Sequence, residues 1–331
     1  MTTFLTGASG FVGWHVLRAL VSRGDRVRCL VRERSRHAIP EAGGETVVGD
    51  LRDAATVRRA MRGCDVAYHC AADYRLWVPD PAAMYASNVG GTRNVLAAAA
   101  DCGVRRVVYT STVGTLGLRA DGGPSDERTP SRIEDMVGHY KRSKFLAERV
   151  ADEWAVRGLP VVIVNPSAPV GERDVKPTAT GRMIVDFLRG RIRAYVDTGL
   201  NLVDVRDVAA GHLLAEERGR VGERYILGHS DLTLDEILTL LARIVGVPRP
   251  RVRLPHWIPL AAATVETRWA EWRGREPRLE IDAVLLAQHR MFFDASKAVR
   301  ELGLPQTPVE QALARAVAWF RDAGYAPRVA A

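Results

Sequence analysis

Thr3-Phe4-Leu5-Thr6-Gly7-Ala8-Ser9-Gly10-Phe11-Val12-Gly13 decides how this chain is read, because a short apolar run passes through three glycines straight into an amphipathic stretch. The run predicts a strand over Thr3 to Thr6, and the spacing that follows predicts a helix over Phe11 to Arg23. Glycines at this turn let backbone N–H groups at the helix start approach an anion, which is how a strand–turn–helix unit holds a pyrophosphate. Strand, turn and helix together make Gly7, Gly10, Phe11, Val12 and Gly13 an expected dinucleotide cradle rather than a tight turn alone.

Outward from that unit, apolar runs alternate with helical patterns as far as Asn165. Further strands are expected at Arg26 to Val31, Thr46 to Val48, Val66 to His69, Arg106 to Thr110 and Val161 to Asn165, with helices at Met84 to Cys102 and His139 to Arg157. Continuous rather than alternating apolar strands belong to a parallel sheet covered on both faces. The expected fold is therefore α/β, a Rossmann-type doubly wound parallel sheet with a smaller, mainly helical substrate-binding domain. After Pro166 the pattern loosens: a helix at Gly181 to Leu188, a strand at Leu202 to Val205, and helices at Asp207 to Glu217 and Leu234 to Val245, with Asp207 and Thr233 as expected N-caps. The dinucleotide domain is expected to comprise residues 1–170 and 201–220, and the cap residues 171–200 and 221–325.

At 331 residues the chain can bury a large core, and 47% hydrophobic with 26% charged residues is an ordinary globular balance. Four cysteines and eight histidines show no metal-ligand spacing, so no metal is expected. No leader pattern opens the chain and no apolar run is long enough to cross a bilayer, which predicts a cytoplasmic protein. The net charge of +8 comes from arginines scattered among acids, the pattern of a solvated surface rather than of a nucleic-acid-binding tract.

An acid closing the second strand would accept from the ribose of NAD, but Val31 stands there, followed by Arg32-Glu33-Arg34-Ser35-Arg36. Guanidinium groups suit a 2′-phosphate, so Arg32 and Arg36 predict NADP as the preferred cofactor, with NAD retained if Glu33 turns inward.

Tyr140 and Lys144 lie four apart at a helix start, which puts phenol and ammonium on one face a turn apart. A phenol with its usual pKa near 10 needs a shift of roughly three units, about 4 kcal/mol, to act as an acid or base near neutrality, and a neighbouring cation supplies part of it. The hydroxyl cluster Tyr109-Thr110-Ser111-Thr112 closes the fifth strand. Glycine turn, hydroxyl cluster and Tyr-x-x-x-Lys, in this order and spacing, resemble the extended short-chain dehydrogenases.

That resemblance implies catalytic roles for Thr112, Tyr140 and Lys144, with Thr112 where serine is usual and Ser111 beside it. It also implies that Asp50 and Leu51 hold the adenine and that Ala71 and Ala72 lie against the cofactor ribose. Asn88 matches the family's helix asparagine near the active site, and Pro166 and Ser167 the segment at the nicotinamide carboxamide, while Tyr140 and Lys144 also touch the cofactor.

Ala71 to Trp77, Gly138 to Glu148, Val164 to Ser167, Tyr195 to Val203 and Arg224 to Gly228 narrow the resemblance to the bacterial hopanoid-associated sugar epimerases, an epimerase/dehydratase branch also similar to dihydroflavonol reductases and 3β-hydroxysteroid dehydrogenases. It implies a small-molecule substrate, hopanoid-linked in that family, and a homodimer formed through the two long helices flanking the site. Val113-Gly114 after Thr112 replaces the Asp-Glu pair of the sugar dehydratases, which excludes their water loss. Leu200 and Ala168 stand where nucleotide-sugar epimerases offer an arginine and an asparagine, with Lys176, Arg182 and Arg193 as the nearest substitutes.

The expected activity is oxidoreduction of a secondary alcohol or ketone on a polyol-bearing or lipid-linked substrate. A nucleotide-sugar epimerase is the alternative, and a non-enzymatic NADP-binding sensor the less favoured one, since sensors lose the tyrosine or lysine kept here. Candidate substrate contacts are Asp73, Tyr74, Trp77, Arg182 and Asn201. The Trp257 to Trp272 segment is expected to be a packed cap helix with its tryptophans in the core or walling a pocket, with peripheral membrane contact as the competing reading.

Overall fold

A computed structural model of the chain describes residues 1–39, 42–273, 277 and 280–327. Strand and helix alternate through β1 (Thr2–Thr6), α1 (Phe11–Ser22), β2 (Arg26–Val31), β3 (Glu45–Val48), α2 (Ala54–Met61), β4 (Val66–His69), α3 (Pro81–Tyr85), α4 (Gly91–Cys102), β5 (Arg106–Thr110), α5 (Gly138–Val156) and β6 (Val161–Pro166). Every residue of β4 and β6 is buried, because helices cover both faces of the sheet. A π-helical turn, Ala86–Gly90, joins α3 to α4 and carries Asn88. The helix expected from Met84 thus begins three residues earlier, where Asp80 caps Ala82 N.

The chain continues through β7 (Ala168–Val170), α6 (Ala179–Leu188), β8 (Ala194–Tyr195), β9 (Gly199–Asp204), α7 (Val205–Arg218) and β10 (Arg224–Leu227). The main sheet runs β10-β6-β5-β4-β1-β2-β3, parallel throughout. Its order reverses between β1 and β4, with Thr6 beside His69, and ligands of such sheets bind in the crevice at that switch point. β10, which the sequence reading left in the cap, extends this sheet along β6. β9 joins a separate small sheet instead.

The remainder holds β11 (Ser230–Thr233), α8 (Leu234–Val245), β12 (Val252–Arg253), α9 (Trp257–Trp272), α10 (Ile281–Leu286), β13 (Arg290–Met291), α11 (Ser296–Leu302) and α12 (Val309–Asp322). Strands β11, β9 and β13, with β7 beside β9, make the small sheet, and β8 pairs with β12. Its core packs Val170, Leu202 and Ile184 against Leu238 and Phe320, so α6, α8 and α12 close over the small sheet.

Two expectations change. Asp204 rather than Asp207 caps α7, accepting from Arg206 N at 2.9 Å, whereas the Asp207 carboxylate takes Thr307 N at 2.6 Å and Thr307 Oγ1 at 2.9 Å. Thr233 does cap α8, in a reciprocal box with Glu236. The tryptophans of α9 are not core residues: Trp257 is 68% and Trp272 79% exposed.

Candidate active site

The turn after β1 is built for close approach. Gly7 has φ of 78°, and a Cβ there would lie 2.6 Å from Ala71 N. A Cβ on Gly13 would lie 2.1 Å from Gly7 O, so the turn packs backbone on backbone. Gly10 caps α1 with no side-chain acceptor and no acid in the first turn, which leaves the helix's first N–H groups facing the crevice for an anion. This cradle fits a dinucleotide pyrophosphate. Ala71 N also donates to Thr6 Oγ1 at 3.3 Å, tying the segment after β4 to the end of β1.

Along the cradle's adenosine side, Val31 closes β2 in the interior and Arg32 is exposed just beyond it. Arg32 lies in electrostatic reach of Asp50 and Asp73. Asp50 is already gripped by Arg52, Nε donating to Oδ1 at 3.0 Å and Nη2 to Oδ2 at 2.8 Å, and Leu51 O accepts from Asn94 Nδ2 at 2.8 Å. Arg36 turns back to Glu33 at 2.8 Å, so of the two arginines singled out Arg32 is the one without an ion pair among the described residues.

At the nicotinamide side, the end of β5 meets the first turn of α5. The Thr112 hydroxyl accepts from Gly114 N at 3.1 Å and lies close enough to the Tyr140 phenol to act on its titration. Burial pushes the phenol up to about 12, with the Thr112 hydroxyl working the other way, so the shift runs opposite to the one expected from the sequence and the group is protonated at neutral pH. One turn on, Lys144 is buried, its Nζ donating to Tyr109 Oη at 2.9 Å and Thr110 O at 2.8 Å. Burial pulls this ammonium down to about 8, against the raising effect of Glu148. An ammonium has three donors, and the two bonds leave one over.

Ser111 Oγ and Ser167 Oγ are buried and without a hydrogen-bond partner among the described residues. Both flank this spot, Ser111 N donating to Val164 O at 2.7 Å and Ser167 N to Leu227 O at 3.0 Å. Hydroxyls orphaned in this way fit contacts to a bound nicotinamide, the place the sequence reading gave to Pro166 and Ser167.

Asn88 is engaged by the protein itself. Its Nδ2 donates to Asp73 O and Ser143 Oγ, each at 2.9 Å, and its Oδ1 accepts from Asp73 N at 2.7 Å, so the amide fastens the Asp73 segment to α5. Asn201 is likewise committed, to Asp231 at 2.8 Å, Phe293 O at 3.0 Å and His229 N at 3.0 Å, and joins β9 to its neighbours instead of facing a substrate. Asp73 pairs with Arg75 through two bonds, and Arg182 reaches Glu280 at 3.1 Å. Tyr74 remains half-exposed, its hydroxyl on Lys176 O at 3.1 Å, and Trp77 is half-buried.

Sequence reasoning missed the brace behind Thr112. Glu148 Oε2 accepts from Thr115 Oγ1 at 2.8 Å and from Asn165 Nδ2 at 3.0 Å, and that Nδ2 also reaches Thr112 O at 3.0 Å. Arg224 on β10 holds the other Glu148 oxygen at 3.0 Å. Only the four-residue step from Lys144 to Glu148 hints at this in the sequence.

A turn with glycine contacts of this kind, a parallel sheet reversing at β1 and β4, and a tyrosine, lysine and threonine at its carboxyl end define a dinucleotide-dependent oxidoreductase site. Residues 3–228 match the NAD dependent epimerase/dehydratase family, and the chain belongs to it. A Synechocystis sp. protein provisionally named a dihydroflavonol 4-reductase is 49% identical over 97% of this chain and 95% of its own length. Sterol demethylase protein B of Methylococcus capsulatus is 39% identical, covering 98% and 99%. A Stigmatella aurantiaca ketoreductase of a farnesyl dihydroquinoline oxide is 36% identical, covering 92% and 91%. The crystal structure of gox2253 superposes with a TM-score of 0.88 at 46% identity, covering 98% and 99%. The protein is thus an enzyme of a NAD-dependent family whose relatives include reductases.

Proposed function

We propose that the chain reduces a ketone, or oxidises the matching secondary alcohol, on a polyol-bearing or lipid-linked molecule, with NADP as its preferred cofactor. The observation that carries this reading is the Tyr140 phenol beside Thr112 and one turn from Lys144. The bound dinucleotide supplies or accepts the hydride. Tyr140 gives its proton to the carbonyl oxygen as negative charge develops there, Thr112 holds that oxygen in line, and Lys144 offsets the charge left on the phenolate.

The substrate side rests on Leu200 and Ala168, positions without the cation and amide that a buried diphosphate needs. Of the substitutes, Arg182 is already paired with Glu280. Relatives named for a sterol and a farnesylated ketone support a lipophilic substrate, hopanoid-linked compounds among them. The homodimer through α4 and α5 belongs to the same proposal. Titration of the NADP-loaded protein with uridine, thymidine and guanosine diphosphate sugars should show no binding at micromolar concentrations. Micromolar binding with epimer exchange would replace this reading with a nucleotide-sugar epimerase.

A further inference from the structure

Helix α9 turns its apolar side outward. At roughly 3.6 residues per turn, Trp257, Ile258, Ala261, Val265, Trp269 and Trp272 fall within an arc of about 120°. Trp257 is 68%, Val265 70%, Trp269 44% and Trp272 79% exposed, while the buried Ala263 and Ala270 face the other way. Amphipathic helices of globular proteins ordinarily turn the apolar stripe inward, and clustered exposed aromatics mark a contact surface.

Charge says what covers it. Arg268 lies inside the arc and is exposed, and no carboxylate of the sequence falls within the arc. At its edge Arg273 stacks 4.4 Å from the Trp269 ring centroid and 5.9 Å from that of Trp272. Exposed Arg251 precedes the helix, in a chain of net charge +8. A second copy meeting this face about a two-fold axis would offer the same arc, which holds no carboxylate to pair with Arg268. Tryptophans with interspersed arginines suit a lipid headgroup boundary instead, where the indole is half-wetted and the guanidinium meets phosphate. Among the described residues no helix is long and apolar enough to cross a membrane, so contact of this kind would lie in the surface plane.

We propose that α9 is an interfacial helix that docks the protein on an anionic phospholipid bilayer. The inference stands on α9 alone and requires no particular substrate, so vesicle binding and catalysis can fail separately. The test mixes the cofactor-loaded full chain with vesicles of phosphatidylcholine alone and of phosphatidylcholine with phosphatidylglycerol, followed by flotation. Binding to the anionic vesicles should be about tenfold tighter or more, with a blue shift of tryptophan emission. The variant W257S/W272S should lose about tenfold or more of that binding while keeping its melting temperature and NADPH affinity. A full chain that floats with neither vesicle, or equally with both, overturns the proposal. So does a W257S/W272S variant that floats as well as the parent, or a parent that sediments as a dimer when the variant is a monomer, which would give the face to a second copy.

Discussion

Two opposed effects meet on the Tyr140 phenol, burial and the neighbouring Thr112 hydroxyl. Burial pushes it up to about 12 and the Thr112 hydroxyl draws it back, so at neutral pH the group holds its proton, as an acid for carbonyl reduction must. Replacing Tyr140 by phenylalanine removes the proton and little else. Turnover should fall by roughly 100-fold to 10,000-fold while NADPH still binds by calorimetry, and turnover at the parental rate would contradict the assignment. The grouping of Thr112, Tyr140 and Lys144 was legible in the sequence because two of them share one helix face and the third follows the fifth strand. Glu148 and Asn165 were not, because their meeting with Thr115 depends on how α5 lies against β6. Asn88 and Asn201 were read as ligand contacts since an amide's type does not reveal that backbone groups already occupy it.

Among elements, the proposal of NADP rests on the loop after β2. Val31 stands where an acid would accept from a ribose, and Arg32 has no ion pair among the described residues while Arg36 is turned to Glu33. Arg32→Ala should therefore remove most of the preference for NADPH over NADH, on the order of 1.5 to 3 kcal/mol for a charge-assisted bond, and Arg36→Ala should remove less. Calorimetry giving equal affinities for the two cofactors in the unmutated protein would refute this. The six strands of the main sheet that run from β1 to β6 could be read because strands buried on both faces are continuous apolar runs. The two-residue strands β8, β12 and β13 could not, being too short to show any period. For α9 the sequence shows an apolar stripe but not which side of the helix the protein covers, and the expectation of core tryptophans inverted the answer.

The whole molecule divides its labour along the sheet. Residues 3–228, the stretch matching the family, end just past β10, the last strand of the main sheet. Arg224 on that strand reaches across to Glu148 and so supports the Thr112 brace, which makes the edge of the sheet part of the site's scaffold. The chain after residue 228 adds α8 and α12 over the small sheet, together with α9, in the region where relatives with different substrates would be expected to differ. What unites these parts is the claim that the enzyme exchanges a hydride with an external carbonyl. It is tested most directly by following a single turnover of the NADPH-loaded protein with a lipophilic ketone panel, measuring cofactor oxidised and alcohol formed together. The account predicts net oxidation of one NADPH for each carbonyl reduced; epimer exchange of a nucleotide sugar with the cofactor returned to its starting state, and no net oxidation by any ketone, would contradict it.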